Sequence, residues 1–152
     1  MDLSDIKRAA EAAREFDHIV GSITFKLRLP TPFQSECAAA GQGFAGKRSA
    51  AEAVVRAQRA LTELAVVGWS GAFVRDVLGA GHKYGDDEFA YEPEAVATLL
   101  DERRDIAEAL WLPLLERMEA RNKAQEATAK NWQRASPGTS PKPVRASSQP
   151  RA

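Results

Sequence analysis

One stretch of this chain keeps a period of two. Between His18 and Leu29, Ile23, Phe25, Leu27 and Leu29 alternate with Thr24, Lys26 and Arg28. Successive side chains of a strand point to opposite faces, so the spacing predicts a half-buried strand with its odd-numbered face inward. Gly21 and Ser22 set Ile19 and Val20 apart, as a separate short strand or across a bulge. Pro30 and Pro32 lack amide donors and end the strand. A strand must pair, within this chain or with another copy. Phe73 to Leu78 and Glu88 to Tyr91 are the candidates for its neighbour.

The rest of the chain reads mainly as helix. Asp2 to Phe16 has Ile6, Ala9, Ala10, Ala13 and Phe16 at helical spacing, with Ser4 as a cap. A short helix is expected over Phe33 to Ala40, stopped by Gly41, Gly43 and Gly46. A longer one runs from about Ser49 to Val67, with Val54, Ala57, Leu61, Leu64 and Ala65 as its apolar stripe. Ser49 and Glu52 have the capping-box spacing, and Gly68 ends the helix. Gly68 to Tyr91 reads as a loop with turns. The next helix starts after Glu92, with Pro93 at its first position and Tyr91 and Val96 at hydrophobic-staple spacing. Val96, Leu99 and Leu100 face inward. The last helix begins near Asp101 or Arg104 and reaches about Asn131. Ile106, Leu110, Leu114 and Met118 form its buried stripe, and Pro113 interrupts it. The fold class expected is α+β, mainly α: a small helical domain with a short N-terminal strand or hairpin.

Composition changes at Trp132. From Gln133 to Ala152 there are four prolines, four serines, no acidic residue and one large apolar residue, Val144. Such a segment buries too little surface to offset its ordering entropy. The expectation is therefore one domain over 1–132 and a disordered tail over 133–152. Lys plus Arg and Asp plus Glu each number 21. Four of the basic residues, Arg134, Lys142, Arg145 and Arg151, lie in the tail, so the body holds 17 basic against 21 acidic groups. An acidic body disfavours nucleic acid as the main partner. The tail reads either as a solubilising end or as a weak electrostatic arm. No apolar run approaches the roughly 18 residues of a membrane span, and Met1 to Arg14 is charged rather than signal-like. A soluble, intracellular chain without membrane contact is expected.

Little in the sequence points to catalysis. Cys37 is the lone cysteine, and its place near a helix start suggests a small buried residue. His18 and His82 are the only imidazoles, and neither has a patterned nucleophile beside it. His82 with Asp86, Asp87 and Glu88 reads as a solvated acidic loop rather than a cation site, since the spacing of known calcium loops is absent. Gly41 to Lys47 resembles a phosphate loop, but Arg48 stands where Ser or Thr would hold magnesium, and helix rather than strand precedes it. Neither metal nor cofactor is expected, and none is assigned a ligand. Trp111 has two readings, as core or as an exposed anchor beside leucines. The Pro113 interruption spreads Trp111, Leu112 and Leu115 off the buried stripe, which makes these three the candidate partner-binding residues.

Leu61 to Gly71 is a helix running into a turn made by Gly68, Trp69 and Gly71. After a variable loop comes Phe89-Ala90-Tyr91-Glu92-Pro93, then Leu99-Leu100-Asp101, and an amphipathic helix closing on Ala129-Lys130-Asn131. This order resembles the tail assembly chaperones of long-tailed bacteriophages and prophages, over about residues 19–131. Gly68, Trp69, Gly71, Pro93, Leu99 and Leu100 carry the likeness. The N-terminal helix, the glycines at 41–46, the loop from Gly79 to Gly85 and the basic tail depart from it. The resemblance implies a non-enzymatic protein that binds the tape measure protein and recruits tail tube subunits. It also implies action in the cytoplasm of the bacterial host and absence from the mature virion; a homo-oligomer is compatible. Two other classes stay open: another tail or connector structural protein, and a small helical regulator associated with nucleic acid.

Overall fold

The computed structural model describes residues 1–43 and 49–135. The fold is α+β and mainly α, with six helices and one three-stranded sheet among the described residues. Two compact units are present, Met1–Met118 and Glu119–Ala152. Residues 133–135, expected to belong to the tail, close the last helix instead. Residues 136–152 and 44–48 lie outside the described residues. No helix among the described residues is long and apolar enough to cross a membrane.

In the first unit, α1 (Leu3–Ala12) is capped by Asp2 rather than Ser4. The Asp5 amide donates to Asp2 Oδ1 at 2.9 Å, and the Asp2 amide donates to Asp5 Oδ2 at 3.3 Å. The helix stops before Phe16, which belongs to β1 (Glu15–Val20). β1 pairs antiparallel with β2 (Ile23–Arg28), and Val20 faces Ile23 across a two-residue turn. Gly21 supplies a positive φ of 61° at the first turn position, as a tight hairpin turn requires. Gly21 and Ser22 thus separate two strands, and Ile23, Phe25, Leu27 and Leu29 are all buried.

The second neighbour of β2 is neither segment expected from the sequence. It is β3 (Val66–Ser70), so the strand order is β1-β2-β3. Phe25 faces Trp69, Lys26 faces Gly68 and Leu27 faces Val66, with a bulge that leaves Val67 unmatched. The residues read as the end of the long helix and its stop are therefore a strand. α3 (Ala50–Ala65) hands over directly to β3: Val66 leaves helical dihedrals while its amide still donates to the Thr62 carbonyl. Two adjacent valines and a tryptophan favour the pleated surface once β2 offers an edge. Phe73 makes only an isolated bridge to Glu88, and Val74–Leu78 is the short helix α4.

Helix α2 (Pro32–Gly43) starts on a cap that sequence reading passed over. The Gln34 amide donates to Thr31 Oγ1 at 3.1 Å, and the Thr31 amide donates to Gln34 Oε1 at 2.9 Å. It continues through Gly41, and Cys37 is exposed on it rather than buried. On α3, Ser49 caps the Glu52 amide as expected, at 3.2 Å. Its buried face is Leu61, Thr62 and Ala65, whereas Val54 and Leu64 are exposed. The helix thus turns its stripe by one position, and the Thr62 hydroxyl is accommodated by donating to the Gln58 carbonyl at 2.8 Å. α5 (Pro93–Glu102) buries Val96, Leu99 and Leu100. α6 (Arg104–Ala135) contains Pro113 without ending there, and buries Ile106, Leu110, Leu114 and Met118. These side chains, the inner face of the sheet and Ala65 make one core. Arg103, between α5 and α6, donates to both carboxylate oxygens of Asp105, at 2.9 and 2.7 Å, and to the Asp76 carbonyl of α4. It ties three elements together.

Glu15 on the outer face of the sheet receives Arg28 Nη2 at 2.6 Å and Lys26 Nζ at 3.4 Å. The hydrogen bond from Arg28, with Lys26 adding to it, holds this carboxyl below its ordinary value of 4.5. A carboxyl depressed on folding stabilises the protein above its unfolded value, and that contribution is lost as pH falls through the folded value. Glu15→Gln should therefore lower Tm at about pH 7 and leave it unchanged near pH 2, with the difference shrinking in salt. Circular dichroism melts at the two pH values check this.

Candidate functional site

The first unit carries a groove of about 600 Å³ walled by α3, the end of α5 and α6. From α3 come Val55, Gln58, Arg59 and Thr62, which share one face at i, i+3, i+4 and i+7. From α6 come Arg104, Ala107, Glu108, Trp111 and Leu112, and from α5 Leu100 and Asp101. Val55 and Leu112 are 59% and 61% exposed, while Trp111 is half-buried against the core.

The charged groups of this wall pair with one another or with near neighbours. Arg59 Nη2 meets Asp101 Oδ1 at 2.7 Å and also donates to the Ala97 carbonyl at 3.0 Å. Arg59 Nη1 lies 3.6 Å from Glu63, and Arg104 Nε lies 3.0 Å from Glu108. The rim thus carries two cations and two anions in internal pairs, and between them lie the apolar Val55, Leu100, Ala107, Trp111 and Leu112 with the polar Gln58 and Thr62. The lining has no histidine, cysteine or serine. Its apolar side chains can bury apolar surface of another molecule.

Of the three candidate partner-binding residues, Trp111 and Leu112 line this groove. Leu115 is half-buried and is not part of its lining. Val55 and Ala107 were missed. The signal for Val55 was the adjacent Val54, a pair of branched apolar residues on the half of α3 that contributes nothing to the core.

Gly68, Trp69, Gly71, Pro93, Leu99 and Leu100 hold the scaffold instead. Leu99 and Leu100 are core, and Pro93 opens α5. Trp69 is packed on three sides: stacked on Phe89 at 5.5 Å, and edge-on to Tyr91 at 5.0 Å and to Phe25 at 6.2 Å. Its Nε1 donates to the Phe89 carbonyl at 2.7 Å. The tryptophan therefore clips the 89–91 segment to the sheet. Gly68 lies opposite Lys26, and Gly71 has φ 74°.

The loop before Glu88 is organised by ordinary contacts. Asp86 pairs with Arg75 at 3.0 Å, the Asp87 carbonyl accepts from the Val74 amide, and the Tyr84 amide donates to His82 Nδ1 at 3.3 Å. Among the described residues no three His, Cys, Asp or Glu side chains are grouped as metal ligands. Gly41 and Gly43 belong to the last turn of α2, and the remainder of that motif, residues 44–48, lies outside the described residues. Comparison of the chain with protein-family models, with curated proteins and with solved structures gives no match.

Proposed function

We propose that this protein is a tail assembly chaperone of a long-tailed bacteriophage or prophage. In this reading it binds the tape measure protein, keeps that long helical client soluble, assists tail tube assembly and catalyses no reaction. It works in the host cytoplasm and leaves before the virion is complete. The observation that carries the reading is the groove between α3 and α6, an apolar floor inside a rim of self-paired charges. An amphipathic client helix presents apolar side chains every three or four residues, and such a groove receives them. Internally paired rim charges make no demand on the client's own charges, which suits a binder that must accept many successive turns of one long helix. The tryptophan turn and the order of the helices support the same reading through resemblance.

The test is co-expression with a candidate tape measure protein, a long helical client. Trp111→Ala should weaken capture by about 2 kcal/mol, roughly 30-fold, the usual effect of truncating an aromatic anchor. Leu112→Glu places a carboxylate in the groove at an exposed position, so the fold should be untouched while the client precipitates. A folded Leu112→Glu protein that keeps the client fully soluble overturns the assignment of the groove. Finding the protein in purified virions would instead favour a structural tail component.

A further inference from the structure

The sheet has two edges, and they are guarded differently. β3 meets β2 through a bulge, and its Trp69 indole is bonded to the Phe89 carbonyl, so the 89–91 segment packs against it. β1 pairs with β2 alone, over six residues without a register break. An antiparallel ladder alternates residues that exchange bonds with the neighbour and residues whose main-chain groups turn away from it. The Leu29 amide donates to the Arg14 carbonyl at 2.9 Å, one step beyond the Glu15–Arg28 pair, which fixes the phase. Phe16, His18 and Val20 therefore bond to β2, and the amides and carbonyls of Glu15, Asp17 and Ile19 point off the edge. Edges are ordinarily blunted by lysine, proline or a bulge, and β1 has none of these. What it carries instead is acidic: Glu15 and Asp17, followed by Ile19, which is 67% exposed. Glu15 is paired with Arg28 and Lys26, whereas Asp17 is exposed and makes no ion pair among the described residues.

We propose that the β1 edge takes up an extended segment of a partner protein as a fourth strand, one in which apolar residues alternate with lysine or arginine. This contact is independent of the groove between α3 and α6. β2, the strand that β1 already accepts, shows the pattern. In it Ile23, Phe25 and Leu27 alternate with Thr24, Lys26 and Arg28, with Lys26 opposite Asp17 and Arg28 opposite Glu15. The open edge of β1 presents the same side chains to a strand on its other side. Main-chain groups of Glu15, Asp17 and Ile19 supply the hydrogen bonds, and Asp17 supplies a cross-strand partner for a cation. Apolar residues of the segment lie beside the half-buried Phe16 and Val20. The same charges disfavour a second copy. Pairing β1 antiparallel with itself, in the fullest register that matches outward-facing groups, sets Asp17 against Asp17. A shift toward Glu15 sets Glu15 against Asp17, and a shift toward Ile19 keeps the two Asp17 side chains on the diagonal.

The probe is the synthetic peptide acetyl-Ser-Val-Lys-Val-Lys-Val-Ser-amide, titrated into the full chain and followed by nuclear magnetic resonance. Saturable binding should slow hydrogen exchange at the Asp17 and Ile19 amides, while Phe16, His18 and Val20 stay as protected as before. Ile19→Pro removes an outward donor without removing a bond to β2, and Asp17→Lys reverses the charge. Each should weaken binding about tenfold or more. Ser70→Lys, on β3, should change nothing. The same peptide with glutamate in place of lysine should not bind. Nor should the lysine peptide methylated at its backbone amides, and that test uses the unchanged chain should Ile19→Pro fail to fold. Absence of saturable binding overturns the proposal, as does protection that appears along β3 instead. Binding undiminished by Asp17→Lys overturns the charge selection, and binding of the methylated peptide overturns the strand pairing. A concentration-dependent dimer in sedimentation that is lost on Ile19→Pro would put a second copy on this edge and overturn the assigned occupant.

Discussion

Phe25→Ala is expected to cost about 3–5 kcal/mol, the range for truncating a large buried aromatic. Phe25 is fully buried on β2, the central strand, between His18 of β1 and Trp69 of β3. The close-packed interior cannot collapse onto the vacancy without moving one of three strands, so both the transfer and cavity penalties apply. The edge-on contact with Trp69 at 6.2 Å is lost as well. Domains of this size are stable by only about 5–15 kcal/mol, so Tm should fall by on the order of 10–20 °C or more. Ile19→Ala is the matched control, because Ile19 on β1 is 67% exposed and should shift stability by no more than about 0.5 kcal/mol. Thermal melts of the two variants settle the point. A Phe25→Ala loss under about 1 kcal/mol would place the core elsewhere.

That core was legible because its signals were local and redundant. Ile23, Phe25, Leu27 and Leu29 alternate without exception, and all four are buried. Ile106, Leu110, Leu114 and Met118 recur every four residues, and all four are buried. The partner of β2 was illegible for a physical reason. Val66 and Val67 continue the apolar content of α3, and no proline or glycine separates them from Ala65. The choice between a further helical turn and a strand is made by the unpaired edge of β2, a contact about 40 residues away in sequence. Tertiary context overrode the helical period there, and of the candidate strand Phe73 to Leu78 only Phe73 is extended, while Val74–Leu78 is α4.

The site was legible only in part. Trp111 and Leu112 stood out because large apolar residues lay off a complete buried stripe. Their neighbours across the groove did not, since Val55, Gln58 and Thr62 are ordinary helix residues until α3 is set beside α6. The stripe assigned to α3 from periodicity included Val54 and Leu64, both exposed. A helix that buries only its last turns against a sheet gives a weak period over its first turns, which misplaces the face that remains open. Arg103 carried no signal at all, because a salt bridge to Asp105 two residues away looks like any surface pair. Only its donation to the Asp76 carbonyl reveals it as a tie between elements.

Gly71→Ala should be the second most damaging single change, at roughly 2–4 kcal/mol. Gly71 follows β3 with φ 74°, a left-handed conformation that costs an L residue about 1–2 kcal/mol. A Cβ built there lies 2.7 Å from the Ser22 carbonyl oxygen. That oxygen belongs to the backbone of the β1–β2 turn, so no side-chain rotation relieves the contact and a strand end or a hairpin must move. Displacements of this kind cost about 1–3 kcal/mol further. Gly79→Ala separates the two contributions: Gly79 has φ 90°, and nothing lies within 4 Å of its added Cβ. Its variant should lose only a conformational part, which at ψ 165° exceeds that of an ordinary left-handed site, so any larger loss at Gly71 is a lower bound on the cost of the close approach of β3's exit to the hairpin. Trp69 sits two residues before Gly71, with its Nε1 bonded to the Phe89 carbonyl, so a forced shift of the turn should also disturb the near-ultraviolet dichroism of its indole. A Gly71→Ala loss of no more than about 1–2 kcal/mol, with the tryptophan signal unchanged, would mean that the turn relaxes freely. In that event the left-handed backbone, rather than the close contact, would account for glycine at position 71.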